Sequence, residues 1–157
     1  MVIIKTDIML GNPKNSTLKP IEVEAIVDPN ALHLWIPQQV ADQLQLKETS
    51  KRKVTTGEGK KRICPYVGPI EIKFKNRTCF SGAVVIGSEV RLGHMPMDDL
   101  DLVVSPKKMT VVVNPESPVI PISEIKTKEE IPLKQYKVEH VSKDAFIAPD
   151  DDDFIEF

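Results

Sequence analysis

Long apolar runs are missing from this chain. None approaches the roughly 18 residues that a membrane-crossing helix needs, so no membrane partner is expected. The first residues, "MVIIKTDIML", lack the basic start, apolar middle and small-residue cleavage site of an export signal, which makes the cytoplasm the expected location. Cysteine is scarce too. Cys64 and Cys79 are the only two, and reduced thiols are the expectation for a chain without an export signal. Two thiols and three scattered histidines do not assemble the ligand set of a zinc site, so neither a metal nor another cofactor is expected. Aromatic residues make up only 5% of the 157 positions.

What is present is a β-rich composition. Val and Ile are abundant, and 13 prolines punctuate the chain, a pattern of strands and turns rather than long helices. Hydrophobic residues at 41% and charged residues at 28% describe a globular protein. The length allows one domain of about 100–130 residues plus an appendage. Charge is uneven. Residues 139–157 carry seven acids against one base, Lys143, so this stretch holds −6 of a total of −2 and the remainder is basic.

The segment "VIIKTDIMLGN" reads as a first strand ended by Asn12-Pro13. In "KPIEVEAIV", Ile21, Val23, Ala25 and Val27 alternate with Glu22 and Glu24, the period of a half-buried strand. "LHLWIP" is a short buried strand, and "PQQVADQLQL" one or two helical turns begun at Pro37. "KETSKRKVTTGEGKKRICPYVG" is a polar hairpin, followed by strands "PIEIKFKNRT" and "CFSGAVVIG". After a loop come strands near 102–104 and 109–113, then a Pro-broken connector. The fold class that follows is all-β: a small closed barrel with one short helix and a flexible acidic C-terminal arm. The expected organisation is a domain over 1–121, a linker over 122–138 and a tail over 139–157.

One acid stands out. The apolar strand ending at Val27 runs into Asp28, followed by Pro29, Asn30 and Ala31. Taken alone, Asp28 is an Asp-Pro turn acid that hydrogen-bonds nearby backbone. In context, three segments occur in a recognisable order: "PIEVEAIVD..ALHLWIPQQVADQLQL", "TTGEGKKRICPYVGPIEI" and "GAVVIGSEVRLG…DLDLVV". Together they resemble the retropepsin-like aspartic proteases, particularly the small single-domain members found in bacteria, over about three quarters of the chain. The resemblance implies that Asp28 holds the catalytic position and that Gly57, Glu58 and Gly59 lie in the flap. It also implies a homodimer that shares one proton between two carboxyls and acts on a peptide substrate. The chain departs from the family's Asp-Thr/Ser-Gly turn, because Pro29 and Asn30 stand where Thr or Ser and then Gly would be. Pro29 offers neither the hydroxyl that would brace the two active-site loops nor an N–H. Asn30 tolerates left-handed backbone and keeps its N–H.

The bases Lys51, Arg52, Lys53, Lys60, Lys61 and Arg62 bracket the hairpin tip. They are either a solvated surface or a dock for an acidic segment or nucleic acid, and the lack of interleaved aromatics argues against nucleic acid. Trp35 reads as packing or a dimer contact. Asp98, Asp99 and Asp101 read as capping and solubility groups in an exposed turn. In the tail, Asp150, Asp151, Asp152 and Asp153 precede Phe154 and Phe157. That arrangement suits docking on a protein partner with a basic surface, as an antitoxin arm would. Two functions therefore stand side by side. One is a binding or regulatory module on a degenerate protease site. The other is a homodimeric aspartic peptidase using one Asp28 from each chain.

Overall fold

The computed structural model describes residues 3–124. Residues 3–123 belong to one compact unit. The expectations for the linker beyond 124 and for the acidic tail lie outside the described residues.

Among the described residues, nine strands and two short helices follow in the order β1 (Lys5–Gly11), β2 (Ile21–Val27), β3 (Leu34–Ile36), α1 (Gln38–Gln43), β4 (Lys47–Thr55), β5 (Lys61–Phe74), β6 (Arg77–Val85), β7 (Val90–Leu92), α2 (His94–Asp99), β8 (Leu102–Ser105) and β9 (Thr110–Val113). The large sheet runs β1-β2-β7-β3-β6-β5-β4, and β1 also pairs with β5. That extra pairing, Met9↔Lys73 through Gly11↔Glu71, closes six strands into a barrel and leaves β4 hanging on β5. Closure removes the free edges that those six strands would expose as an open sheet.

The period-two alternation places the core. Ile8, Leu10, Leu34, Ile36, Ile70, Ile72 and Leu92 are no more than 1% exposed and fill the barrel interior. Each such side chain contributes about 1.5–3 kcal/mol relative to exposure. β5 is one 14-residue strand rather than the end of a hairpin plus a separate strand. A register shift between Val67 and Ile70 bends it, so its first half pairs with β4 and its second half reaches β1.

Two elements differ from expectation. The stretch read as a loop after residue 87 contains β7 and α2, so the domain has two short helices instead of one. Neither carries a strong sequence signal. β7 is three residues long, and α2 begins at Gly93 with no side-chain cap and has Pro96 in its first turn. Asp101 is also not a solubility group. Its carboxylate accepts from Asn114 Nδ2 (3.0 Å), the Ile122 N–H (2.8 Å) and Ser117 Oγ, and it faces the fully buried Arg77 guanidinium at 3.8 Å. Arg77 in turn donates to the Ser117 carbonyl, while Asn76 Nδ2 donates to the Pro118 carbonyl at 2.9 Å. These bonds fasten the start of the Pro-rich connector to the barrel.

Candidate functional site

β2 and β3 are consecutive in sequence but not neighbours in the sheet, because β7 lies between them. The chain must therefore leave β2 at Val27, loop outward, and return on the far side of β7. Residues 28–33 form that loop, and its backbone is fixed by the segment entering α2. The Asp28 N–H donates to the Leu92 carbonyl (3.0 Å), the His94 N–H to the Ala31 carbonyl (2.8 Å) and the Met95 N–H to the Leu32 carbonyl (3.1 Å). Gly93 is needed for this approach: a Cβ there would fall 2.2 Å from the His33 carbonyl oxygen and 2.6 Å from that of Ala31. No residue but glycine fits between the loop and the helix start.

The Asp28 side chain is 22% exposed, and both its oxygens are occupied. Oδ1 accepts the Asn30 N–H at 3.0 Å, an Asx turn that brings Pro29 and Asn30 round to Ala31. Oδ2 accepts Arg91 Nη1 at 3.1 Å in an ion pair. Arg91 was not among the residues singled out from the sequence. Its signal is a lone base in the apolar triplet Val90-Arg91-Leu92: both neighbours are buried, so period two turns Arg91 to the opposite, outer face.

That outer face carries a row of side chains across four strands. Arg91 is opposite Trp35, Trp35 beside Val84, and Val84 opposite Tyr66. Trp35 and Tyr66 pack with Cys64, Val84, Ile86 and Val54 as a small cluster separate from the barrel core. The structure thus uses Trp35 for packing. The Arg52 guanidinium lies 3.8 Å from the Tyr66 ring centre, and His33 meets the same ring edge-on at 5.5 Å. Burial, and then the charge of Arg52, hold His33 below the usual histidine range. Gly82 leaves the space beneath this ring, since a Cβ there would sit 2.2 Å from Tyr66 Cζ. Cavities of 380 Å³ beside α1 and 270 Å³ beside Phe80 are lined by neither Asp28 nor Arg91.

The hairpin expected to form the flap is present as β4 and β5. At its tip the Thr56 N–H donates to the Lys60 carbonyl (2.8 Å) and the Gly59 N–H to the Thr56 carbonyl (2.9 Å). Gly59 adopts φ +83°, and Gly57, Glu58 and Gly59 are all exposed. Both thiols are free and buried. Burial, then the Asp99 charge and its hydrogen bond, push the Cys79 thiol up to about 12. Among the described residues no group of three or more His, Cys, Asp or Glu side chains is arranged to hold a metal ion, and no helix is long and apolar enough to cross a membrane.

No protein-family model and no curated protein sequence matches the chain. Among solved structures it is similar to the retroviral protease-like domain of Ddi1 from Leishmania major, at 11% identity and a TM-score of 0.49, covering 73% of this chain and 90% of that one. It is also similar to a retropepsin-like aspartic protease from Rickettsia conorii, at 13% identity and a TM-score of 0.38, covering 68% and 91%. Fold likeness at such identities does not transfer an activity; that has to be argued from the site.

Proposed function

We propose that the chain is a retropepsin-like module with a degenerate active site, working as a binding or regulatory protein through its acidic tail rather than as a peptidase. The observation that carries this reading is the state of Asp28. Its Oδ1 is held by the Asn30 N–H at 3.0 Å and its Oδ2 by Arg91 at 3.1 Å. Aspartic-type hydrolysis needs two adjacent carboxyl groups sharing one proton, one acting as base on water and the other as acid. With Oδ1 engaged by the Asn30 N–H and Oδ2 by Arg91, neither oxygen of Asp28 is free to hold an attacking water or to meet a second carboxyl group. Pro29 adds a second obstacle, since it provides no hydroxyl to brace one loop against the other.

The test restores the missing parts. Pro29→Thr, Asn30→Gly and Arg91→Ile are combined, and hydrolysis of a peptide library is measured beside the parent and beside the combination carrying Asp28→Asn. The expected result is no Asp28-dependent cleavage by the parent and measurable cleavage by the combined variant. Cleavage by the parent that Asp28→Asn abolishes would establish the homodimeric peptidase instead. For the tail, a chain ending after Glu124 is compared with the full chain for recovery of bound protein. Equal recovery would remove residues 139–157 from the proposal.

A further inference from the structure

The hairpin offers an interaction surface that the reading of Asp28 does not use. β4 hydrogen-bonds to β5 alone and terminates the sheet, because the barrel closes through β1 and β5 without it. Among the described residues, one row of backbone N–H and C=O groups along Lys47–Thr55 is therefore left unpaired. An unpaired strand edge is a template for another strand.

Its charge selects the strand. Between Lys47 and Ile63 stand seven bases and two acids, and one acid, Glu48, is taken up by Lys51 at 2.5 Å. Arg52 is turned inward over Tyr66. Lys51 and Lys53 are exposed, and Ile63, paired with Lys53 across the hairpin, is 68% exposed on the same face. A second copy of this basic edge is repelled by like charge. The sugar-phosphate backbone of DNA presents acceptors only, so it leaves the edge carbonyls unmatched, and β4 contains no aromatic residue for base stacking. An extended acidic polypeptide satisfies all three features: its backbone matches the open row, its carboxylates meet the lysines, and an apolar residue on the same face reaches Ile63.

We propose that the free edge of β4 takes up an extended acidic segment of a partner protein as an additional strand. The probe is a blocked, fluorescent ten-residue peptide of alternating glutamate and valine, titrated against the full chain by anisotropy. Three comparisons accompany it: the same peptide N-methylated along its length, the same peptide with glutamine for glutamate, and an oligothymidylate of equal charge. The expected result is saturable micromolar binding of the first peptide, at least tenfold weaker for either altered peptide and for the oligonucleotide. A Lys51→Glu/Lys53→Glu double variant should also bind at least tenfold more weakly while melting at the parent temperature. No saturation of the first peptide at millimolar protein overturns the proposal. So does equal affinity for the N-methylated peptide, which reports charge without strand pairing, or tighter binding of the oligonucleotide. None of these outcomes touches the ion pair at Asp28, so the two proposals fail separately.

Discussion

Breaking the Asp28–Arg91 pair is the most direct probe of the candidate site. Arg91→Met keeps the length of the side-chain stem but removes the guanidinium. Asp28→Asn keeps an oxygen to accept the Asn30 N–H and removes the charge. With Arg91 35% exposed and Asp28 22% exposed, solvent screens the pair, and its coupling falls in the range of about 0.2–1 kcal/mol measured for accessible ion pairs. For a compact unit of this size, about 1 kcal/mol corresponds to roughly 3–6 °C in Tm. Each single variant should therefore melt a few degrees below the parent. The double variant should melt well above the sum of the two losses, because neither charge is left alone. The assay is thermal unfolding by circular dichroism at low and high salt, read as a double-mutant cycle. The coupling should be favourable at low salt and shrink at high salt. Strictly additive losses at low salt would show that the guanidinium and carboxylate do not interact, and the reading of Asp28 as a neutralised carboxylate would fall.

Gly93→Ala should cost the domain several kcal/mol or prevent folding, since the new Cβ meets backbone at 2.2 Å, beyond the about 1–3 kcal/mol of ordinary overpacking. Gly82→Ala meets only the end of the Tyr66 ring, so it should fold, melt slightly lower, and change the fluorescence of neighbouring Trp35 as the ring swings off Arg52. Asp101 is held down at about 2 by hydrogen bonds from Ile122, Ser117 and Asn114 and by the charge of Arg77. Its unfolded form takes up a proton first, so its contribution is complete above about pH 4 and lost as pH falls towards 2. Asp101→Asn, which tolerates the observed φ of +55°, should flatten that acid limb in a plot of Tm against pH. His33 is held low by burial, so the unfolded chain binds the proton more readily and stability should fall as pH drops below about 6.5. His33→Gln should remove that slope. Both buried cysteines should resist iodoacetamide in the native protein, Cys79 also because its thiol is pushed up to about 12, and both should react in guanidinium.

Much of the barrel was legible because its strands obey one simple rule. In β2 the alternation of Glu22 and Glu24 with Ile21, Val23 and Ala25 states both the element and its buried side. Pro37 marked the start of α1, and the Gly-x-Gly marked the hairpin tip. What escaped were the elements that exist only through tertiary pairing. Val90–Leu92 is too short to show a period and is a strand because β2 and β3 hold it on either side. α2 has no cap and begins against a loop from another part of the chain. Asp101 looked like one of three surface acids because its partners, Asn114, Ser117 and Ile122, lie 13 to 21 residues further on. Arg91 escaped for the same reason. Its role depends on β7 lying beside β2, so that a base 63 residues from Asp28 reaches it.

For the degenerate site proposed above, the same topology accounts for a loop that keeps its shape whatever side chains stand at 29 and 30. Loop 28–33 is positioned by backbone bonds: the Asp28 N–H to Leu92, and the His94 and Met95 N–H groups to Ala31 and Leu32. None of these uses the side chain of residue 28, 29 or 30. The bend needs only a residue at 29 that tolerates the turn and an N–H at 30, and Pro-Asn meets both conditions. Hydrolysis asks for more: an acid free of a permanent counter-ion and a hydroxyl to align two such acids. Those requirements fall on side chains that the fold does not depend on, so they can be lost without unfolding the barrel. Arg91 sits on the outer face of a strand whose other two residues secure the core, where a base also costs the fold little. The consequence is directional. Substitutions at 29, 30 and 91 should shift Tm by no more than a few degrees while deciding whether cleavage occurs, whereas Gly93→Ala should destroy the loop whatever those residues are.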